Sequence, residues 1–302
     1  MHGKLISRNN SVSLSVIILT HNEERNLPTL LGSLDWCDDV HVVDDESTDS
    51  TLSLASRHAA KCHSHRFESF GNQRNWALEH CDLQNPWVLF LDADEVSTPA
   101  FARALQAAVQ QAPAETVGFF CCWKLMLDGV WLRRCDAYPK WQMRVVRRGF
   151  ADFIDWGHGQ KEGRIDGRLD FVREPYIHNA FNKGWTYWFE RHNRYSSQEA
   201  CLRLETPISW KGVFSRSPSQ RNRSLKPLLS RLPGWPIARF AFDYILRGGF
   251  LEGRAGFTYC VNMAVYEYLI RLKMNELVAS ARIRGTALET ATALPQSGSL
   301  ER

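Results

Sequence analysis

The chain has 302 residues, of which 44% are hydrophobic, and a formal net charge of +4. That size suits one large domain or a domain with an appendage, and the charge is too mild to argue for a nucleic-acid partner. The eight cysteines form no Cys-x-x-Cys pair, and Cys62, His63 and His65 stand close together without a second ligand pair at zinc spacing, so reduced, mostly buried thiols of a cytosolic protein are expected.

The opening segment, Met1 to Asn10, lacks the apolar core of a signal peptide, and the sequons at Asn9 and Asn222 are read as incidental. Leu14 to Leu19 is rich in β-branched residues and reads as a buried strand, ending at Thr20-His21-Asn22-Glu23-Glu24. Asn22 is placed to cap a helix carrying Leu27, Leu30, Leu31 and Leu34. A second strand, Val40 to Val43, runs into Asp44-Asp45-Glu46-Ser47-Thr48-Asp49, and a helix over about residues 50–60 follows. Gly71 to His80 reads as a short helix. Residues 88–91, Val-Leu-Phe-Leu, form a strand buried on both faces, which stops abruptly at Asp92-Ala93-Asp94-Glu95. Thr98-Pro99 then opens an Ala-rich helix with a cap and a proline at its first position.

Strands alternating with helices imply an α/β fold with a mainly parallel sheet. Three strands end in polar clusters, and in a parallel sheet those ends share the edge where open α/β sheets bind ligands. Carboxylates as close as Asp92 and Asp94 repel one another unless a cation sits between them, and a divalent metal holding a diphosphate supplies that cation. A dinucleotide-binding dehydrogenase would carry Gly-x-Gly-x-x-Gly after its first strand and a phosphate-loop NTPase a Gly-rich loop ending in Gly-Lys-Ser/Thr; this chain has neither.

Four segments, Ser15 to Glu24, Val42 to Thr51, Gln73 to Leu78 and Leu89 to Glu95, resemble in order and spacing those of family 2 glycosyltransferases. The likeness covers roughly residues 13–200 and is strongest to the branch that builds lipopolysaccharide cores, including core β-1,4-glucosyltransferases. It implies a GT-A fold, a nucleotide-sugar donor such as UDP-glucose, a divalent Mg2+ or Mn2+ ion, and inversion at the anomeric carbon. By the same resemblance, Thr20, Asn22 and Glu23 contact the nucleotide, and Asp44 or Asp45 hydrogen-bonds the base. Arg74 lies close to the diphosphate, its alternative being a surface helix arginine. Asp92 approaches the ribose and Asp94 binds the metal.

An inverting transfer needs a general base on the acceptor side. The family stretch that typically reads Val-His-Glu is here Asp155-Trp-Gly-His-Gly-Gln-Lys-Glu162, with Gln160 where the glutamate would align. Glu162 is the favoured base and Asp155 the second candidate, with His158 a positioning group or alternative base. Trp131, Tyr138, Trp141 and Trp156 are dense here and offer flat rings to an acceptor sugar.

From Thr206 to Phe242 there is no acid, while Lys211, Arg216, Arg221, Arg223, Lys226, Arg231 and Arg239 interleave with Trp210, Phe214, Trp235 and Phe240. An apolar stretch from Thr258 to Ile270 follows, shorter than the roughly 18 residues of a membrane span. Cations among aromatics suit an anionic bilayer surface; the alternative is a solvated basic face with a helix packed on the catalytic domain. The expected organisation is a GT-A domain over 13–200, a helical, basic and apolar region over 201–288 that associates with membrane, and a disordered tail over 289–302. The whole reads as a glycosyltransferase on the inner face of a bacterial membrane, acting on a lipid-linked glycan. The rivals are a sugar nucleotidyltransferase, whose Gly-rich basic loop after the first strand is missing, and a non-catalytic membrane-surface glycan-binding protein, which leaves the three acidic strand ends unexplained.

Overall fold

A computed structural model describes residues 13–157, 159–206, 214–215, 221, 224–225 and 228–283. His158, Trp210, Lys211, Arg216, Arg223, Lys226 and the 289–302 tail lie outside them. The chain divides into two compact units: Met1–Trp185 with Leu251–Ala255, and Thr186–Phe250 with Gly256–Arg302.

The first unit is built on β1 (Leu14–Thr20), β2 (Val40–Asp44), β3 (Lys61–Ser64) and β4 (Trp87–Asp92), all parallel, in the order β3-β2-β1-β4. Continuous β-branched and apolar runs put β1 and β4 at the centre, where both faces are covered. Helices α1 (Leu27–Gly32), α2 (Thr51–Arg57) and α4 (Pro99–Gln110) supply Leu27, Leu30, Leu31, Ala55, Phe101 and Leu105 to one core cluster. Helix α3 (Phe70–His80) packs Ala77 into a second cluster, with Ile17, Val43, Val88 and Phe90. Trimming any of the fully buried Ile17, Leu89 or Leu105 to Ala is worth roughly 2–5 kcal/mol.

Beyond β4 the sheet becomes mixed. β8 (Gln142–Arg147) is antiparallel to β4 and to β6 (Thr116–Leu127). β11 (Arg168–His178) runs parallel to β6, and β5 (Glu95–Val96) closes the order antiparallel to β11, with β7 (Val130–Trp131) paired to β6. β9 (Ala151–Trp156) and β10 (Gly159–Ile165) form a separate antiparallel hairpin.

Two local expectations change. Asn22 does not cap α1, which starts at Leu27 after Asn26; it sits at φ +52°, and its side-chain oxygen accepts from Thr48 N at 2.8 Å. Asparagine tolerates this left-handed geometry because its short polar side chain bonds locally. Strand β3, Lys-Cys-His-Ser, gives no apolar pattern in the sequence and exists because the edge of β2 offers it a ladder. Thr98 does cap α4, its Oγ1 accepting from Phe101 N at 3.1 Å.

In the second unit, most of α5 (Gly184–Glu205) and of α7 (Gly253–Ile283) joins α6 (Trp235–Ala241) and a π-helical turn, Phe242–Leu246. Arg203 and Glu267 pair within it, through bonds of 2.6 and 3.1 Å. No helix among the described residues is long and apolar enough to cross a membrane.

Candidate active site

The carboxyl ends of β1, β2 and β4 meet at one edge because the three strands run parallel and in register, Thr20 opposite Asp44 and Leu19 opposite Asp92. The first two polar clusters bind each other. Thr20 Oγ1 donates to Asp44 Oδ1 at 2.7 Å, and Ser47 occupies both oxygens of Asp44, through its hydroxyl at 2.6 Å and its N–H at 2.8 Å. Asn22 N–H donates to Ser47 Oγ, Glu23 N–H to Thr51 Oγ1 and Glu24 N–H to Asp49. Asp44 is therefore buried and saturated. Asp45, partly exposed, accepts from Phe67 N–H through Oδ1 and has His21 3.4 Å from Oδ2. Glu23 pairs with Lys183 at 2.5 Å and accepts from Asn26; burial nevertheless lifts its carboxyl above the usual range.

The Gln73-Arg74-Asn75 run on α3 sends three adjacent side chains to three different parts of the chain. Gln73 bonds His65 through its ring and carbonyl, at 2.7 and 3.0 Å. Asn75 clamps the backbone of Phe153 on β9 with two bonds of 2.8 and 2.9 Å. Arg74 is not on the surface: it is 1% exposed, lies near the Phe70, Phe90 and Phe153 rings, and donates to Asp92 Oδ1 at 2.9 Å.

Asp92 is held from two sides, because Arg144 of β8 donates to its Oδ2 at 3.0 Å. Arg144 also reaches Glu95 Oε1 at 2.5 Å, while Glu95 Oε2 accepts from Asp92 N–H at 2.9 Å. Burial alone would raise the Asp92 carboxyl, but the two guanidiniums outweigh it and hold it well below its ordinary value. Glu95, fully buried with one arginine against two acids, is pushed up to about 7. Arg74 Nε and Arg144 Nη1 are buried without a hydrogen-bond partner among the described residues. Such orphaned donors are costly, and an incoming anion would satisfy them.

Asp94 stands beside His178, with 3.4 Å between Oδ1 and Nε2. Burial lowers the imidazole, yet Asp94, Glu95 and Asp92 together keep it above its usual value. An oxygen and an imidazole nitrogen converging at this separation, near the roughly 3 Å between adjacent ligands of a small divalent ion, form a donor set suited to Mn2+-like cations. Asp92, with both oxygens on arginines, is the poorer ligand.

The hairpin carries the remaining candidates. Asp155 faces Gln160 and Phe153 faces Glu162 across the β9–β10 ladder, so strand alternation puts all four side chains on the face that packs toward α3 and Arg74. Asp155 Oδ1 accepts from Gly71 N–H at 2.9 Å. A Cβ at position 71 would stand 3.0 Å from the Ile154 carbonyl carbon, so glycine permits this approach. Gln160 Nε2 is buried and unpartnered among the described residues, and Glu162 is half-buried. Of the four aromatic candidates only Trp156 is well exposed, with Lys161 Nζ 3.6 Å from its ring centroid; Trp131 packs on Tyr138 and Trp141 on Phe171.

Arg144, Glu95, His178 and Lys183 complete this cluster and were not singled out from the sequence. Arg144 and His178 sit on strands whose neighbours are remote in the chain, and no local spacing marks them. Glu95 was visible as the third acid of its run, but its burial was not.

Residues 15–148 match glycosyl transferase family 2. An uncharacterized glycosyltransferase of Rickettsia typhi is 37% identical over 282 residues, covering 89% of each chain. A lipopolysaccharide core biosynthesis glycosyltransferase of Rhizobium meliloti is 25% identical over 267 residues, 86% of this chain and 91% of the relative. Among solved structures, a mannosyltransferase of Pyrobaculum calidifontis, in complex with GDP-Man and Mn2+, superposes with a TM-score of 0.50 at 16% identity, covering 88% of both chains. The fold is the GT-A arrangement, the enzyme is a glycosyltransferase, and the chain belongs to glycosyltransferase family 2.

Proposed function

We propose that this glycosyltransferase is inverting and metal-dependent, and that it moves a sugar from a UDP-sugar, UDP-glucose first, to a lipid-linked glycan such as a lipopolysaccharide core. The observation that carries the reading is the Asp94–His178 pair set beside the Arg74–Asp92–Arg144 cluster at the end of β4. Asp94 and His178 would hold a Mg2+ or Mn2+ ion, which when bound stabilises charge developing on the departing diphosphate. The orphaned donors of Arg74 and Arg144 add positive potential on the same side. Asp92, fixed by two arginines, presents its partly exposed carboxylate to the ribose. Asp45, rather than the saturated Asp44, offers an acceptor oxygen to a ring N–H of the base, beside Thr20, Asn22 and Glu23, whose bonds shape the surrounding loops.

Glu162 takes the acceptor proton in this scheme. It shares the hairpin face directed at Arg74, whereas Asp155 spends one oxygen on anchoring the hairpin to α3. His158, the third candidate, lies outside the described residues. Glu162→Gln abolishes transfer while donor binding survives; if that variant transfers normally and Asp155→Asn does not, the role passes to Asp155. Calorimetry with UDP, GDP and ADP in the presence of Mn2+ tests the donor, and tighter GDP binding overturns the uridine assignment.

The second unit supports attachment to an anionic membrane surface at the cytoplasmic face. Ile237 (76%), Leu246 (77%) and Ile245 (60%) are largely exposed, and Phe242, Phe250 and Phe257 are exposed by 43% or more. Arg239 and Arg247 stand among them, Arg247 lying 4.7 Å from the Phe242 ring centroid. Apolar side chains at the surface with cations beside them match the two attractions of a bilayer interface, apolar burial and lipid charge.

A further inference from the structure

The tight sequence cluster of Cys62, His63 and His65 comes apart in the fold. Cys62 is exposed, and His65 turns to Gln73 and stacks on Trp76. His63 instead meets two residues from distant parts of the chain. His41 pairs with Lys61 and Val43 with His63 across β2 and β3, so alternation puts His41 and His63 on one face of the sheet. Val43 on that face shares a core cluster with Cys81, the residue that ends α3. His41 Nδ1 and His63 Nε2 are 3.0 Å apart, and these atoms and Cys81 Sγ all lie within 4.8 Å of one another.

We propose that His41, His63 and Cys81 form a second metal site, for a thiophilic divalent cation of the Zn2+ type, separate from the Asp94 site and independent of the donor assignment. Two nitrogens on a tetrahedral zinc ion at about 2.0–2.1 Å stand about 3.3 Å apart, so the two rings need only a small adjustment. Position along the strand separates the sites: His41 precedes Asp44 by three residues, about 10 Å of strand away from the sheet edge described above.

The surroundings are those of a metal site's outer shell. His41 Nε2 lies 3.0 Å from Asp39 Oδ1, which directs the Nδ1 lone pair toward His63 and Cys81. Asp39 is itself fixed by Ser15 Oγ at 2.5 Å, Gln84 N–H at 2.9 Å and Lys61 Nζ at 3.0 Å. Burial lowers both imidazoles, and Lys61 adds to the effect, which favours the neutral rings that ligate metals. Burial pushes the Cys81 thiol up to about 12, so the ion takes the place of the Sγ proton, which leaves to solvent as the metal–thiolate bond forms. Lys61, with its side chain 39% exposed, is a cation beside the cluster through its pair with Asp39. His63 is only partly covered, which gives the ion an entry path and leaves a fourth position for water.

The test uses the full chain, stripped with a chelator and titrated with Co2+ as the probe. The expected result is a near-ultraviolet thiolate-to-cobalt charge-transfer band with the d–d absorption of a tetrahedral ion, saturating at one equivalent and removed by Zn2+. Cys81→Ser abolishes the charge-transfer band and His63→Ala weakens Co2+ binding at least tenfold. Cys62→Ser and Asp94→Asn leave the band in place, which separates this site from the exposed thiol and from the Mn2+ site. Absence of the band in the unsubstituted protein, or its survival in both Cys81→Ser and His63→Ala, overturns the assignment.

Discussion

Two buried ionic networks, one in each unit, handle charge differently. In the second unit Arg203 grips Glu267 with a two-pronged pair, Trp235 Nε1 donates to the same carboxylate at 2.9 Å, and Arg203 Nε stands 3.5 Å from Glu199. Arg239 and Arg247 share Asp243. Burial works against the charges of Glu267, Arg203 and Arg239, yet their partners outweigh it: Glu267 is held below its ordinary value and Arg203 and Arg239 above theirs. In the first unit the balance fails at two of four members. Burial and the nearby Arg144 pull Arg74 down, and burial with Asp92 lifts Glu95. Guanidinium nitrogens lack a hydrogen-bond partner among the described residues in both networks, Arg203 Nε in the second unit and Arg74 Nε and Arg144 Nη1 in the first. What separates the two is charge balance, and a network whose burial its own partners do not offset costs stability that a ligand completing it would restore.

The sharpest test of that contrast is Asp94→Asn. It follows β4 beside His178, and asparagine keeps the size and shape of the side chain, so the fold persists by circular dichroism and melting temperature. Transfer falls roughly 10²–10³-fold or more, the scale of a lost transition-state electrostatic contact. Near-normal turnover by the folded variant removes Asp94 from the metal site.

Stability should rank the networks in the reverse order. Arg203→Met takes the two-pronged partner from Glu267, leaving it Trp235 Nε1, and costs about 3–5 kcal/mol in urea unfolding. Arg74→Met costs about 1–2 kcal/mol, because Asp92 keeps Arg144 and some solvent, but it weakens donor binding in calorimetry. Equal destabilisation by the two substitutions breaks the comparison.

Glu95 gives the first unit a pH signature. Its folded-state value of about 7 lies above the ordinary 4.5, so the folded state binds this proton more tightly than the unfolded chain. The resulting stabilisation is complete below pH 4.5 and is lost as pH rises through 7. Asp92, held low, acts oppositely, but only as pH falls below 3.8, so the two windows do not overlap. Melting temperature followed from pH 4.5 to 7 therefore declines on this account by the equivalent of about 1–3 kcal/mol, and Glu95→Gln flattens the decline. An unchanged slope in that variant refutes the assignment.

The smallest effect on folding belongs to the exposed face of the second unit. Ile237→Ser with Leu246→Ser shifts stability by no more than about 0.5 kcal/mol. It removes the salt-resistant fraction that sediments with anionic liposomes, while salt at about 1 M, where the Debye length is about 3 Å, removes the remainder. Equal binding by variant and parent excludes this face as the anchor.

Much of the site was legible because it is written at strand ends. A buried apolar run fixes a central strand, and its period leaves little choice about where the polar residues after it emerge, so Thr20, Asp44 and Asp92 fell on one edge as expected. Asn22 was misread as a cap because cap and left-handed turn use the same side chain, and only the 44–51 loop decides between them. Arg74 could be read as a surface residue because polarity at one helix position says nothing of what lies above it; the hairpin that covers it comes from residues 151–165.

The sequence alone determined three of the four parallel strands, β1, β2 and β4, the acidic edge and the family, since each depends on local periodicity or on motifs of a few residues. The tertiary structure decided which acids are saturated and which can meet a ligand. It also decided that Arg144 and His178 join Asp92 and Asp94, and that His41, His63 and Cys81 converge. Those outcomes rest on burial and on contacts between residues tens of positions apart. Charge balance in a low-dielectric interior is set by every neighbour within a few ångströms, and the order of residues along a chain does not encode it.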